Sequence, residues 1–292
     1  MLCNICPRKC NVDRREKTGF CGVGEKIKVA RAALHYYEEP CISGEEGSGT
    51  VFFSGCNLKC VYCQNKSVSA GFGKEITAER LSTIFLELQE KGANNINLVT
   101  PDQYALEIKK ALLIAKKDGL KIPIVYNTSG YCSTKTIAKL KDVVDIFLTD
   151  FKYMSSDAAQ KYSLAKDYPD VAKTALKQMF LFVGKPQYDD NGIMKKGVIV
   201  RHLCLPENTD DSKAVIKYLY ETYGDDIIIS IMNQYTPMGE SEYSELNRKL
   251  TEEEYDEVVD FAVELGIENA FVQEGETADE SFIPDFSLLT GV

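Results

Sequence analysis

Cys56, Cys60 and Cys63 stand in the run Gly-Cys-Asn-Leu-Lys-Cys-Val-Tyr-Cys, directly after the apolar stretch Thr50 to Phe53. Three thiolates are one too few to close a tetrahedral zinc site or to saturate a four-iron cluster. No fourth ligand follows Cys63 closely, and the histidines of the chain are His35 and His202. The spacing therefore points to an iron-sulfur cluster with one iron left open for a ligand that reacts. A second set, Cys3, Cys6, Cys10 and Cys21, carries the four thiolates of a zinc knuckle and equally those of a further iron-sulfur cluster. Pro7, Arg8 and Lys9 give no ferredoxin-like surroundings, which favours zinc, with a cluster as the alternative. Cys41, Cys132 and Cys204 lie alone and read as small buried hydrophobes.

These thiols need a scaffold, and the composition allows one. A chain of 292 residues with 44% hydrophobic and 27% charged residues has the make-up of a globular protein with a large core. A net charge of -10 argues against a general nucleic-acid or anionic-membrane surface, either of which needs a basic patch. No apolar run reaches the roughly 20 residues that span a bilayer, and Met-Leu-Cys-Asn-Ile-Cys is not a signal peptide. A cytoplasmic protein is expected, with no nucleic-acid or membrane partner. Its clustered thiols, kept reduced there, read as metal ligands.

Residues 1–45 are irregular and cysteine-rich, and are expected to form a small metal-binding extension; residues 46–292 form the main domain. In that domain, β-branched and aromatic runs predict strands at Thr50 to Phe53, Asn95 to Val99, Ile122 to Tyr126, Val144 to Leu148, Gly197 to Leu203 and Asp226 to Met232. Thr77 caps a helix whose Leu81, Ile84, Phe85 and Leu88 share one face. Tyr104 to Lys117, Ser133 to Lys141, Ala172 to Phe182 and Asp210 to Tyr223 follow the same pattern, and Thr251 opens a last long helix with an acidic first turn. Strands alternating with helices imply an α/β fold with a parallel sheet and right-handed crossovers. A partial (β/α)6 TIM-like barrel fits the length, with an open doubly wound sheet as the alternative. In either, reactive groups collect where strands end.

Cys56-x3-Cys60-x2-Cys63, with aromatic Tyr62 before the last cysteine, resembles the signature of the radical S-adenosylmethionine (radical SAM) superfamily. The wider run Gly47 to Asn65 is most similar to relatives of the pyruvate formate-lyase activating enzyme. The likeness extends through Asn94 to Pro101, Ile124 to Tyr131 and Asp145 to Tyr153. It implies a radical SAM barrel with a 4Fe-4S cluster on Cys56, Cys60 and Cys63, and S-adenosyl-L-methionine as cofactor. Its implied reaction is reductive cleavage of that cofactor to a 5'-deoxyadenosyl radical, which abstracts hydrogen. Partners implied are a flavodoxin- or ferredoxin-type reductant and, for an activating enzyme, a glycyl-radical enzyme as protein substrate. The same radical chemistry on another peptide, protein or small molecule is the rival, and a non-catalytic iron-sulfur or zinc electron-transfer or binding protein is the alternative of a different class.

The remaining candidates stand at predicted strand ends. Relatives often carry Gly-Gly-Glu after the second strand and bind the cofactor's amino group there. This chain reads Leu98-Val99-Thr100-Pro101-Asp102, so Thr100, the backbone before Pro101, or Asp102 must substitute. Tyr62 joins these as a cofactor contact. Asn127 and Ser129, beside the permissive Gly130, suit a ribose or carboxylate, or else form a simple polar turn. Asp150 and Lys152 alternate with Phe151 and so point one way. The resemblance gives this Asp-x-Lys pair the catalytic role, the plainer reading being an ion pair that closes the strand. Arg201 offers a cation for a carboxylate, while His202 faces the opposite side as a packing histidine. Asn233 follows the sixth strand, where relatives place polar groups near the ligand.

Overall fold

The computed structural model describes residues 2–273, 284, 286 and 289–292. Six parallel strands make the body of the sheet: β2 (Ser48–Phe53), β4 (Ile96–Val99), β5 (Ile124–Thr128), β6 (Ile146–Asp150), β8 (Met194–Leu203) and β9 (Ile228–Met232). Helices α3 (Ala78–Glu90), α4 (Ala105–Lys117), α5 (Thr134–Leu140), α6 (Ser156–Ser163), α7 (Tyr168–Val183) and α8 (Thr209–Tyr223) connect them, and α9 (Glu252–Glu264) leads to a further parallel strand, β10 (Ala270–Val272). At the other edge β1 (Ile27–His35) runs antiparallel to β2 and carries β3 (Lys74–Ile76). The path β10-β9-β8-β6-β5-β4-β2-β1-β3 does not close among the described residues, so the sheet is a partial barrel, with β7 (Gln187–Tyr188) as a hairpin partner of β8.

Strand alternation divides the core. Tyr126, Phe147, Val198, Val200, Ile229 and Ile231 turn outward to the helices and belong to the main apolar cluster. Val125, Ile146, Leu148, Ile199 and Ile228 turn inward, where they meet Cys41 and Ile42 of the short α1 (Pro40–Ser43). One inner face is thus apolar and plugged at the N-terminal end of the strands, and becomes polar toward their C-terminal ends. The helices form for the expected reasons: the Thr77 hydroxyl accepts from Arg80 N to start α3, and Thr251 with Glu254 makes a capping box at α9.

The expectation of irregular chain up to residue 45 fails at Ile27–His35, which pairs along β2. Its Ala-rich run, interrupted by Lys28 and Arg31, has weak intrinsic β-propensity, and the pairing supplies what propensity does not. Strands β5 and β6 also start two residues later than expected. Pro123 lacks an amide donor, and Val143 and Val144 are apolar because they pack in the turn after α5, where their N–H groups bond to Leu140 O. Asn127, Thr128 and Asp150 therefore belong to the strands themselves.

Candidate iron-sulfur and cofactor site

The cysteine loop leaves β2 through Gly55, whose φ of 82° and position 2.7 Å from Cys21 O, measured to where a Cβ would sit, admit only glycine. The loop is then pinned from several sides. Cys56 N donates to Cys21 O (3.2 Å), Asn57 Nδ2 to Tyr131 O (2.8 Å) and Val61 N to Tyr162 O (2.9 Å), while Leu58 is buried in the core. Cys56, Cys60 and Cys63 are half-buried on it. Among the described residues no three His, Cys, Asp or Glu side chains are grouped to hold a single metal ion. A four-iron cluster makes a different demand, since each of its thiolates binds a separate iron. Burial pushes the Cys56 and Cys60 thiols up, so ionising them calls for the positive charge that iron supplies.

The N-terminal cysteines lie against this loop. The Sγ atoms of Cys10 and Cys21 flank Gly19, at 3.4 and 3.8 Å from where its Cβ would be, and Phe20 N donates to Cys10 Sγ (3.2 Å). Cys6 is buried, and its thiol is pushed up to about 12 chiefly by that burial, with Asp102, Cys21 and Cys10 adding to the effect. Cys3 sits in the pairing of Cys3 with Val12 and Asn11.

Cys60, Cys63 and Tyr62 form one wall of a cleft of about 250 Å³ at the C-terminal ends of the strands. Asn127, Asp150 and Arg201 project into it from β5, β6 and β8, Lys152 from just past the end of β6, and Gln64, Asn65 and Gln234 from the loops. Lys152 Nζ lies 2.7 Å from Asp150 Oδ2, and Arg201 Nε lies 3.1 Å from Asp150 Oδ1. Arg201 also donates to Asn127 Oδ1 (2.7 Å) and to Glu38 Oε2 (3.2 Å). Burial disfavours every charge in this group, but the pairing outweighs it for Asp150, held below its ordinary range, and for Lys152 and Arg201, held above theirs. For Glu38 burial wins and raises the carboxyl, although Arg201 and Asn97 oppose it. From α7, Tyr168 fixes the strand ends, donating to Ser129 O (2.9 Å) and accepting from Lys152 N (2.9 Å).

The structure brings together Tyr62, Asn127, Asp150, Lys152 and Arg201 as the sequence suggested. It does not bring Asp102 to them. Thr100 adopts a φ of 56° and the chain turns into a short 3-10 helix at Asp102–Tyr104, which buries the Asp102 carboxylate among Tyr126 OH (3.1 Å), Thr128 Oγ1 (2.7 Å) and Cys132 Sγ (3.0 Å). With three donors in the core, Asp102 does not line the cleft; Thr100 and Pro101 stay beside it on the same turn, and Val99 is the cleft residue of that strand end. Ser129 lies one residue past the strand, its Oγ buried with no partner among the described residues, and Gln234 rather than Asn233 lines the cleft. His202 is buried on the opposite face of β8 and bonds through Nδ1 to Phe151 O (2.8 Å).

Sequence reasoning missed Glu38, which the β1 edge delivers into the barrel, and the aromatic side of the cleft, where His35 packs edge-on against Tyr37 and Phe52. It also missed Glu39. Burial pushes this carboxyl from 4.5 up to about 7, only partly offset by Arg201, and its Oε2 has no partner among the described residues. Because the folded value is raised, the contribution of Glu39 to stability is complete below pH 4.5 and is lost as pH rises through about 7. Glu39→Gln should remove that loss, leaving the variant more stable by up to about 3 kcal/mol above neutral pH and equal to wild type in acid, as read from urea midpoints across the window.

A parallel partial barrel with an open three-thiolate loop at its strand ends defines an iron-sulfur enzyme of the radical SAM class. Residues 50–181 match the radical SAM superfamily, and the chain belongs to it. Over 277 residues it is 30% identical to the uncharacterized protein MJ0674 of Methanocaldococcus jannaschii, covering 91% of this chain and 75% of that one. It is 26% identical over 217 residues to the pyruvate formate-lyase-activating enzyme of Clostridium pasteurianum, covering 68% of this chain and 79% of that one. A radical SAM methyltransferase of Sphaerobacter thermophilus shares the fold with a TM-score of 0.54 at 14% identity, covering 77% of this chain and 66% of that one. Membership implies a 4Fe-4S cluster and S-adenosyl-L-methionine. Among the described residues no helix is long and apolar enough to cross a membrane.

Proposed function

We propose that this radical SAM enzyme is of the activating-enzyme type and takes a hydrogen atom from a glycine of a partner protein, with a flavodoxin- or ferredoxin-type protein as reductant. The observation that carries the reading is the shared cleft: Cys60 and Cys63 open onto the same space as the Asp150–Lys152 pair and Arg201. The 26% identity to the Clostridium pasteurianum activating enzyme supports the substrate class. Cys56, Cys60 and Cys63 would hold the cluster. The cluster and S-adenosyl-L-methionine, when bound, supply on one-electron reduction a carbon radical able to take hydrogen.

The residues of this chain fit such a ligand. Asn65, which lines the cleft, has a buried Oδ1 with no partner among the described residues, and a ligand carrying an ammonium or hydroxyl group can satisfy it. Lys152 and Arg201 offer cations to its carboxylate, and Asp150 holds both in place. His35, Phe52 and Tyr62 give the cleft apolar surface that keeps water from the reacting carbon. In this reading Cys3, Cys6, Cys10 and Cys21 would hold a second iron-sulfur cluster, since among the described residues no three of them are grouped around a single zinc ion, and Cys21 ties the N-terminal segment to the cluster loop through its carbonyl.

Anaerobically reconstituted protein, reduced in the presence of S-adenosyl-L-methionine, should release methionine and 5'-deoxyadenosine. With the cognate glycyl-radical enzyme added, electron paramagnetic resonance should show a glycyl radical on the partner. Failure to form deoxyadenosine would refute the enzyme reading. Deoxyadenosine without a glycyl radical, across the glycyl-radical enzymes of the same cell, would refute the substrate and leave the same chemistry on another peptide or small molecule.

A further inference from the structure

We infer that Ser163 sets the reduction potential of the cluster, through a chain of buried hydroxyls whose direction the Cys60 thiolate imposes; this rests on the reading that Cys60 binds iron. Ser163 is the last residue of α6 and is fully buried. A serine near a helix end commonly folds its hydroxyl back onto the carbonyl one turn earlier. Here Ser163 Oγ lies instead 3.0 Å from Cys60 Sγ and 2.8 Å from Tyr153 OH, and Tyr153 OH lies 2.5 Å from Tyr62 OH in the cleft wall.

Chemistry fixes the order of donors along this chain. A metal-bound thiolate can only accept, so Ser163 must donate to Cys60. Ser163 then accepts from Tyr153, and Tyr153, having spent its proton on Ser163, accepts from Tyr62. Each hydroxyl polarises the next, in surroundings from which water is largely excluded. Reduction adds one negative charge to the cluster, shared by its sulfur ligands. A donor aimed at one of those sulfurs stabilises the reduced form more than the oxidised form and raises the potential.

The position of Ser163 is fixed independently of the thiol. Val61 N bonds to Tyr162 O (2.9 Å), tying the cysteine loop to the end of α6. Leu164, at a φ of 50°, stops the helix there. Arg8 reaches from the N-terminal segment to cap this end: its Nη2 donates to Ser163 O (3.2 Å), its Nη1 to Leu164 O, and its Nε to Asn57 O of the cysteine loop (2.8 Å). The hydroxyl is thus held against Cys60 by the cysteine loop and the N-terminal segment together.

The test is potentiometric titration of the reconstituted full chain, followed by electron paramagnetic resonance, with iron and sulfide counted in each sample. Ser163→Ala should lower the reduction equilibrium about tenfold, a midpoint shift of about 59 mV to the negative side for a one-electron couple. Tyr153→Phe should move it the same way by less, and Ser163→Thr, which keeps the hydroxyl, should stay near wild type. An unshifted midpoint in Ser163→Ala, or a Ser163→Thr midpoint as low as that of Ser163→Ala, overturns the inference. Should Ser163→Ala assemble no cluster, Tyr153→Phe decides, and an unshifted midpoint there overturns it. A wild-type chain that binds no four-iron cluster overturns the cluster reading itself, and this inference with it.

Discussion

Cys60→Ala is expected to remove one four-iron cluster's worth of bound iron and acid-labile sulfide while leaving the fold in place. Two thiolates cannot hold a four-iron cluster against solvent and reductant. The fold should survive because the loop is organised by contacts that do not pass through the thiol. Leu58 stays buried, Asn57 still donates to Tyr131 O, and Cys56 N and Val61 N keep their carbonyl partners. The Cys60 side chain is half-buried, so truncating it to Ala removes one sulfur and costs about 1 kcal/mol in the apo protein. Circular dichroism and urea unfolding should therefore track wild-type apo protein, while the absorption of one cluster is lost and the formation of deoxyadenosine vanishes. Iron retained at wild-type stoichiometry would refute the assignment of Cys60 as a ligand.

The cysteine triplet was legible because its chemistry is local: three ligands within eight positions carry their meaning whatever the rest of the chain does. The parallel sheet was legible from period and run length, and strand alternation correctly sent Asp150, Lys152 and Arg201 one way and His202 the other. What failed depends on pairing at long range. Glu38 reaches the barrel only because β1 docks on β2, and nothing in the Ala-rich run from Ile27 announces that pairing. Asp102 looked available because it follows the second strand where relatives carry the carboxylate of Gly-Gly-Glu, yet its partners Tyr126, Thr128 and Cys132 arrive from the next strand and the turn beyond it. Ser163 is silent for the same reason, since a serine at the end of a helix has an ordinary local role until Cys60 is placed beside it.

Arg201→Met should be among the most destabilising single changes in the cleft, by about 3–5 kcal/mol, because it strands buried charge rather than because it removes contacts. The four-group network has two carboxylates and two cations, but the cations are not shared evenly. Asp150 keeps Lys152 when Arg201 is lost. Glu38, whose side chain is 8% exposed, keeps, among the described residues, only the amides of Asn97 (2.9 Å) and Asn127 (3.4 Å). Burial already raises the Glu38 carboxyl with the arginine present, and without it the neutral form is favoured further. The loss of stability should therefore be smallest in acid and grow as pH rises through the raised Glu38 value, which urea titrations at several pH values would show. Adding Glu38→Gln removes the stranded charge and should recover most of the loss, so the two changes are strongly non-additive. The double variant then isolates the ligand role of the guanidinium. If Arg201 holds the cofactor carboxylate, S-adenosyl-L-methionine should bind the refolded double variant at least tenfold more weakly than wild type, a coupling worth about 1.4 kcal/mol. Unchanged affinity would mean that Arg201 serves only to neutralise Glu38 and to aim Asp150 and Lys152.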